Sequence, residues 1–272
     1  MAGVMGWPVA HSRSPAIHNH WIRKHHLNGA YGLFPVPPTH LEAAIRGIQA
    51  LGLAGCNLTI PHKVEAMAYM DWVDPLAQRM GAINTIVVQA DGALHGFNND
   101  GFGFLQSLRD AQPNWRADLG PIVIVGAGGA ARAIVVSLID AGATEIRLLN
   151  RTHHKAQALA QEFGTPVTSF DWSERHEALA GAALLVNTTN QGMHGEAPLD
   201  LSLDQLPTNA LVSDAIYIPL ETPLLQAARL RGNTTVNGLG MLLHQASPAF
   251  QAWFGVTPEV TPELRKLIIA TF

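Results

Sequence analysis

A glycine pattern between an apolar run and a helical stretch is the clearest chemical signal in the chain. Residues 121–131 read PIVIVGAGGAA, so Gly126, Gly128 and Ala131 fit the spacing G-x-G-x-x-G/A. Such glycines allow a tight turn and a close approach of pyrophosphate to the backbone, and the next helix N-terminus stabilises negative charge. An ordinary glycine-rich turn is the alternative interpretation. We predict a dinucleotide-binding turn formed by Gly126, Ala127, Gly128, Gly129 and Ala130.

The next strand, EIRLLN, ends in residues whose charge predicts which dinucleotide binds. This position carries Asn150, Arg151 and Thr152, with Lys155 one helical turn later and no acidic residue. An acidic residue here accepts from the ribose 2′-hydroxyl of NAD, whereas an arginine matches the 2′-phosphate of NADP. The residues therefore favour NADP. The alternative is that Arg151 is a solvated residue at the start of a helix.

The first half of the chain places polar residues at strand ends and turns rather than on helix faces. They are Ser12 and Ser14 in HSRSP, Thr59 and Lys63 in NLTIPHK, Asn84 in GAINT, and Asn98, Asn99 and Asp100 in GFNNDG. Each has a purely structural explanation: Ser14 and Asp100 cap helices, Asn84 begins a strand, and Lys63 is solvated in the first turn of a helix. Together they are harder to explain without a ligand.

Alternating strands and helices are predicted to position these residues, which is typical of an α/β fold with a mostly parallel sheet. In the first half, strands are predicted at AGVMGWPV, AYGLFPVP and LAGCNLTI, and a hairpin at NTIVVQADGALHGFN with Asp91 and Gly92 in its turn. Helices are predicted at 14–26, at 39–52 with Thr39 as its cap, at HKVEAMAYM and at PLAQRMG. In the second half, the strand at 122–125 precedes a helix with one apolar face, which predicts a βαβ unit.

Composition limits the classes of protein that the chain can represent. Of 272 residues 47% are apolar and 14% charged, and the net charge is -4, so a globular protein of two modest domains is expected, with no nucleic-acid or membrane partner. A single cysteine, Cys56, forms no internal disulfide, and GVMGWPVAHS follows no charged and apolar leader. We expect a cytoplasmic location. Four histidines crowd residues 18–26 without an acidic or cysteine partner at ligand spacing, so no metal site is predicted.

Many ordered motifs together resemble the shikimate dehydrogenase family, nearly from end to end. They are GWPVAHSRSPAIHN, NLTIPHK, GAINT, GFNNDG, VGAGGAARA, NRT, NTTNQGM, DAIYIPLETPLL and NGLGMLLHQASPAF, in the family's order and at about its spacing. The resemblance implies an α/β fold of two domains. A mixed-sheet substrate domain would span 1–101, a Rossmann-like NADP domain 102–237, and C-terminal helices at 238–272 would pack on the substrate domain.

The same resemblance implies a role for individual residues. In the family, the catalytic pair matches Lys63 and Asp100. The substrate carboxylate is held by Ser12 and Ser14, and the rest of the substrate is contacted by Thr59, Asn84 and Gln245, with Tyr217 near the same pocket. On the cofactor side, Ala215 and Gly238 match positions beside the nicotinamide, and Asn187 and Thr188 line the NADP site.

The implied reaction interconverts 3-dehydroshikimate and shikimate with NADP. Hydride addition to a carbonyl carbon leaves an oxyanion that needs a proton donor, and an ammonium such as Lys63 can supply it. Two departures from the family pattern stand beside the site: Asn99 replaces the usual threonine, and NTTNQGM lacks a common proline. Quinate therefore remains an alternative substrate. A ligand-sensing homologue without turnover, or an NADP oxidoreductase for another acid, also remains open, as does the choice between monomer and homodimer.

Overall fold

The computed structural model describes all 272 residues and divides the chain into two compact units. The first unit consists of Met1–Asp100 together with Leu243–Phe272, and the second of Gly101–Leu242. The C-terminal residues thus belong to the same unit as the N-terminal ones. No helix is both long and apolar enough to cross a membrane.

The first unit contains a six-stranded mixed sheet in the order β2-β1-β3-β5-β6-β4. Its strands are β1 (Ala2–Gly6), β2 (Tyr31–Pro35), β3 (Gly55–Leu58), β4 (Trp72–Val73), β5 (Thr85–Val88) and β6 (Leu94–Phe97). Strand β1 runs parallel to β2 and β3, whereas β5 is antiparallel to both β3 and β6. The predicted hairpin is confirmed as β5 and β6, with Gly92 in the left-handed region at φ 90°.

Helices cover this sheet and complete its core. They are α1 (Ser14–Lys24), α2 (Leu41–Ala50), α3 (Pro75–Met80) and α9 (Pro262–Ile269), with the second part of α8 (Gly238–Phe254) and short 3-10 helices at Pro38–His40 and Glu65–Tyr69. Ile45, Ile48 and Ile86 are fully buried in the core. A separate aromatic cluster joins the two ends of this unit, because Trp21 of α1 packs edge-on against Phe250 of α8.

Two of the predicted helices begin or form differently. Thr39 lies inside the 3-10 helix Pro38–His40, and α2 begins only at Leu41. The segment at 62–70 forms a turn followed by the 3-10 helix Glu65–Tyr69 rather than an α-helix. Its Lys63 carbonyl accepts from the N–H of Ile83 at 2.8 Å and is therefore already bonded outside the helix.

The second unit is a parallel sheet in the order β12-β11-β10-β7-β8-β9. Its strands are β7 (Ile122–Val125), β8 (Ile146–Leu149), β9 (Val167–Phe170), β10 (Leu184–Asn187), β11 (Leu211–Asp214) and β12 (Thr235–Val236). Its helices are α4 (Asp100–Ala111), α5 (Gly129–Asp140), α6 (His153–Phe163), α7 (Pro223–Leu230) and the first part of α8, with 3-10 helices at Trp172–Glu174 and Glu177–Leu179. This is the predicted Rossmann-like arrangement.

Strand β7 shows why this unit produces a continuous apolar run in the sequence. Ile122 and Ile124 pack into one core with Ile134 of α5. Val123 and Val125 pack into a second core on the opposite face of the sheet. Because both faces of the strand are covered, none of its positions can be polar without leaving a buried unpaired group. The strand ends at the glycine turn, in which Gly126 is still buried and Gly128 is exposed.

Candidate active site

In the first unit, Lys63 and Asp100 form an ion pair. The ammonium Nζ donates to Asp100 Oδ2 at 2.6 Å, and the side chains are only 23% and 8% exposed. Asp100 does not cap α4 with its own carboxylate, as the structural alternative required; instead Asn98 Oδ1 accepts from the N–H of Asp100 at 3.0 Å. The carboxylate is thereby left to bind the lysine.

The loop after β3 holds Lys63 in place through its backbone and its neighbours. His62, fully buried, lies with Nε2 2.8 Å from the carbonyl oxygen of Val36, so this nitrogen carries the proton that it donates. Earlier in the loop, the N–H of Thr59 donates to Met5 O at 2.9 Å. The lysine is therefore presented from a fixed loop rather than from the solvated helix turn of the structural alternative.

Asn84 brings two further predicted residues to the pair. Its Nδ2 donates to Asp100 Oδ1 at 2.8 Å and lies 3.4 Å from Gln245 Oε1 of α8. The Asn84 side chain is almost fully buried. Four predicted residues, which are far apart in sequence, thus form one connected polar group: Lys63, Asp100, Asn84 and Gln245.

The remaining predicted substrate residues, Ser12, Ser14, Thr59 and Tyr217, lie on other segments of the chain. Ser14 is the first residue of α1 rather than its cap, because Arg13 occupies the cap position, and Ser12 Oγ accepts from the N–H of Ser14 at 3.3 Å. Thr59 is partly buried. Tyr217 belongs to the second unit. The substrate contacts of these residues therefore stay predictions.

The second unit holds a pocket of about 440 Å³ at the carboxyl end of β7. Eight of the predicted cofactor residues line it: Gly126, Ala127, Gly128, Asn150, Arg151, Thr152, Lys155 and Thr188. This is the edge of a parallel sheet at which nucleotides bind. The glycine turn and the basic residues, which were predicted separately from the sequence, therefore line the same pocket.

Two glycines of the turn are glycines for different reasons. Gly126 has φ 116°, and a Cβ there would lie 2.2 Å from Thr188 Oγ1, so no other residue fits. At Gly128 the backbone is extended and a Cβ would meet nothing within 4 Å. The protein itself does not require glycine at this second position. The open space beside the N-terminus of α5 fits a pyrophosphate, which needs close contact with backbone N–H groups.

The basic side of the pocket is free to bind an anion. Neither the guanidinium of Arg151 nor the ammonium of Lys155 has a hydrogen-bonding or ion-pairing partner within the protein, and both side chains are exposed. Asn150 Nδ2 donates to Thr152 O at 2.9 Å and shapes the loop between β8 and α6. Two unpaired cations and no carboxylate in this loop match a 2′-phosphate and not a bare ribose.

Five predicted cofactor residues do not line this pocket: Gly129, Ala130, Asn187, Ala215 and Gly238. Asn187 is fully buried and donates to Asp214 Oδ1 at 3.1 Å, so it supports the loop that follows β10. Burial raises the pKa of the Asp214 carboxyl. Gly238 packs so closely on Ala215 that a Cβ would lie 2.1 Å from the Ala215 carbonyl oxygen. The cofactor contacts of these five residues therefore stay predictions.

The pocket also contains residues that sequence reasoning did not single out. Trp172, Gln191 and Glu196 line it, from the 3-10 helix after β9 and from the loop after β10. The NTTNQGM motif contains Gln191, but the sequence analysis assigned roles in it only to Asn187 and Thr188. Trp172 lies twenty residues beyond Thr152 in sequence and carries no local signal of its own.

Comparison with known proteins identifies the family. Residues 4–86 match the model of the shikimate dehydrogenase substrate binding domain, and residues 114–194 match the model of shikimate / quinate 5-dehydrogenase. A protein of Paramagnetospirillum magneticum named shikimate dehydrogenase (NADP(+)) is 52% identical over 270 residues, which cover 99% of this chain and 98% of that protein. The chain belongs to the shikimate dehydrogenase family.

Solved structures of this family confirm the predicted fold. Shikimate 5-dehydrogenase from Thermus thermophilus, in complex with NADP(H) and shikimate, is 36% identical with a TM-score of 0.89, covering 100% of this chain and 99% of that one. Quinate dehydrogenase from Corynebacterium glutamicum, in complex with NAD, is 29% identical with a TM-score of 0.91, covering 99% and 98%. The same fold thus occurs in a protein named shikimate 5-dehydrogenase with NADP(H) and in one named quinate dehydrogenase with NAD, so topology alone does not determine specificity.

Proposed function

We propose that this protein interconverts 3-dehydroshikimate and shikimate with NADP, using Lys63 to move the proton. One observation carries the proposal: a buried Asp100 carboxylate holds the Lys63 ammonium at 2.6 Å, next to Asn84 and Gln245. Sequence identity of 52% to a protein named shikimate dehydrogenase (NADP(+)) supports the substrate and the cofactor.

The chain's own residues divide the work of the reaction. NADPH, when bound, supplies the hydride. Lys63 gives a proton to the oxygen that becomes a hydroxyl, and in the reverse direction its amine takes that proton back. Asp100 keeps the ammonium in one orientation, so that the Lys63 side chain loses little further conformational freedom when the proton is transferred. In the second unit, Arg151 and Lys155 bind the 2′-phosphate, and the glycine turn binds the pyrophosphate.

Quinate is the second candidate substrate, because a quinate dehydrogenase shares the fold at 29% identity and Asn99 departs from the family's usual threonine. The bound dinucleotide of that protein is NAD, whereas the unpaired Arg151 and Lys155 of this chain favour NADP. This difference in the cofactor loop supports shikimate with NADP.

The test measures formation of the reduced dinucleotide, NADPH from NADP or NADH from NAD, with shikimate, with quinate and without either. The proposal expects the highest kcat/KM for shikimate with NADP. A higher kcat/KM for quinate than for shikimate would identify quinate as the substrate. A higher kcat/KM with NAD than with NADP would contradict the proposed cofactor. Binding of shikimate without any turnover would favour the ligand-sensing alternative.

A further inference from the structure

The Asn84 carboxamide has one orientation that fits its surroundings. Its Nδ2 donates to the Asp100 carboxylate at 2.8 Å, and its Oδ1 accepts from Thr85 Oγ1 at 2.8 Å and from the N–H of Asn99 at 3.0 Å. A flipped carboxamide would turn its oxygen toward the carboxylate and its NH₂ toward two donors. The Asn84 carboxamide, which donates to Asp100, is thus itself held in one orientation by Thr85 and Asn99.

Thr85 is the centre of this support. Its hydroxyl oxygen accepts from Asn57 Nδ2 at 3.1 Å and from Asn99 Nδ2 at 3.0 Å. Both partners are NH₂ groups and can only donate, so they occupy the two acceptor sites of the oxygen. The single proton of the hydroxyl is therefore left for Asn84 Oδ1. Thr85 is 1% exposed, so no competing solvent is at hand.

The direction of these bonds is set from further inside the core. The Tyr31 hydroxyl donates to Asn57 Oδ1 at 2.7 Å, which turns the Asn57 NH₂ toward Thr85. That NH₂ also donates to the Asn84 carbonyl oxygen at 3.0 Å. The bonds thus run in one direction, from Tyr31 through Asn57, Thr85 and Asn84 to Asp100. In a buried chain with one direction, each bond polarises and strengthens the next.

Asn99 gives this chain of bonds its second anchor. Its backbone N–H holds Asn84, and its side chain holds Thr85. The residue lies directly before Asp100 at the start of α4, yet none of its hydrogen bonds involves the carboxylate itself. Its position therefore favours support of the pair over direct contact with it.

We infer that Thr85 and Asn99 are positioning residues that fix the Asn84 carboxamide and, through it, the proton-transferring pair Lys63 and Asp100. The inference rests on the proposed function. Thr85→Val removes the hydroxyl that donates to Asn84 Oδ1 while keeping the shape of the side chain, and Thr85→Ser restores that hydroxyl. Thr39→Val, which removes an exposed hydroxyl in the same unit, is the matched control.

The experiment measures kcat and KM for shikimate and for NADP, and the thermal midpoint of each variant. Thr85→Val should lower kcat by about 10- to 100-fold while both KM values change less than about threefold, since a small misplacement affects the transition state most. Thr85→Ser should return kcat to within about threefold of the wild type. Combined with Asp100→Asn, Thr85→Val should add little further loss, because residues acting as a unit are not additive.

Each outcome decides the inference separately from the proposed function. A wild-type protein without shikimate turnover contradicts the proposed function before any variant is made. An active wild type with a Thr85→Val variant of unchanged kcat overturns the inference alone, as does an equal loss in Thr85→Ser. If Thr85→Val does not fold, Asn99→Ala decides: a kcat lowered by about threefold or more at unchanged KM supports the inference, and an unchanged kcat overturns it.

Discussion

At the scale of single residues, the ion pair of Lys63 and Asp100 makes the sharpest prediction. Lys63→Ala should lower kcat by about 10²- to 10⁴-fold, the usual contribution of general acid–base catalysis, with a smaller effect on KM. Asp100→Asn should lower kcat comparably, because the amine loses its orientation. Steady-state kinetics with shikimate and NADP measure both effects.

Lys24→Ala, at an exposed position of α1, controls for the loss of a positive charge. The double variant of Lys63 and Asp100 should be little worse than either single one. A binding cation would instead raise KM at preserved kcat. Additive losses in the double variant would contradict a shared role for the pair.

Arg151 makes a prediction about the choice of dinucleotide. Arg151→Ala should raise the KM for NADP by about 10- to 100-fold, the value of a charge-assisted hydrogen bond, and the KM for NAD far less. Initial rates with both dinucleotides at saturating shikimate check it. Arg109→Ala, an exposed arginine of the same unit, should change neither KM. Equal changes for both dinucleotides would show that Arg151 does not bind the 2′-phosphate.

At the scale of elements, α1 buries a histidine that makes stability depend on pH. His18 is fully buried against Tyr31, with stacked rings 4.1 Å apart, and neither ring nitrogen has a hydrogen-bond partner. Burial lowers the pKa of His18 from 6.5 to about 3. Between about pH 3 and pH 6.5 the ring is therefore neutral in the folded protein, whereas the same histidine of the unfolded chain binds a proton.

The sign of the effect follows from this proton. Below pH 6.5 the unfolded state takes up a proton that folded His18 refuses until about pH 3, so stability falls as the pH falls through this range. The loss is about 1.4 kcal/mol per pH unit, or roughly 2 kcal/mol by pH 5. His18→Phe should remove that difference in urea unfolding at pH 7 and pH 5. The exposed His154→Phe should keep it, and an unchanged slope in His18→Phe would contradict the prediction.

Elements defined by local patterns were predictable from the sequence, and those defined by tertiary bonds were not. The strand Ile122–Val125 and the glycine turn after it were correct because an apolar run and a glycine both act locally. The 3-10 helix Glu65–Tyr69 was predicted as an α-helix, since the bond from Ile83 to the Lys63 carbonyl is invisible in the segment.

The same distinction applies to the candidate site. Lys63, Asp100 and Asn84 were found because their motifs are distinctive. Thr85 was not, although it follows Asn84 in the chain, because its role depends on Asn57 and Asn99 meeting at one oxygen. A threonine in a strand is ordinarily explained by β propensity alone. Only the bonds around it distinguish the two roles.

At the scale of the whole molecule, the first unit is assembled from both ends of the sequence. Phe250 and Trp253 of α8 pack in the aromatic cluster with residues of α1 and β2, and Trp253 Nε1 donates to Ile86 O at 2.9 Å. A chain ending at residue 242 would lose these contacts and expose Trp21 and His18. Its first hundred residues should therefore lose their stable fold.

Limited proteolysis with mass spectrometry can test this dependence. In the truncated chain, cleavage should concentrate within residues 1–100, whereas residues 101–242 keep their own parallel sheet and resist it. The full-length chain digested in parallel is the control. Protection of residues 1–100 in the truncated chain would show that the N-terminal segment folds without the C-terminal helices.

The discontinuity of the first unit also orders events during synthesis on the ribosome. Residues 101–242 emerge complete while the segment at 1–100 still awaits residues 243–272. Translation thus delivers a finished NADP-binding unit before the unit with the lysine can close around its last helices. A nascent chain released early by a nonsense codon would carry the dinucleotide pocket without the proton donor in place, and so would bind without turning over.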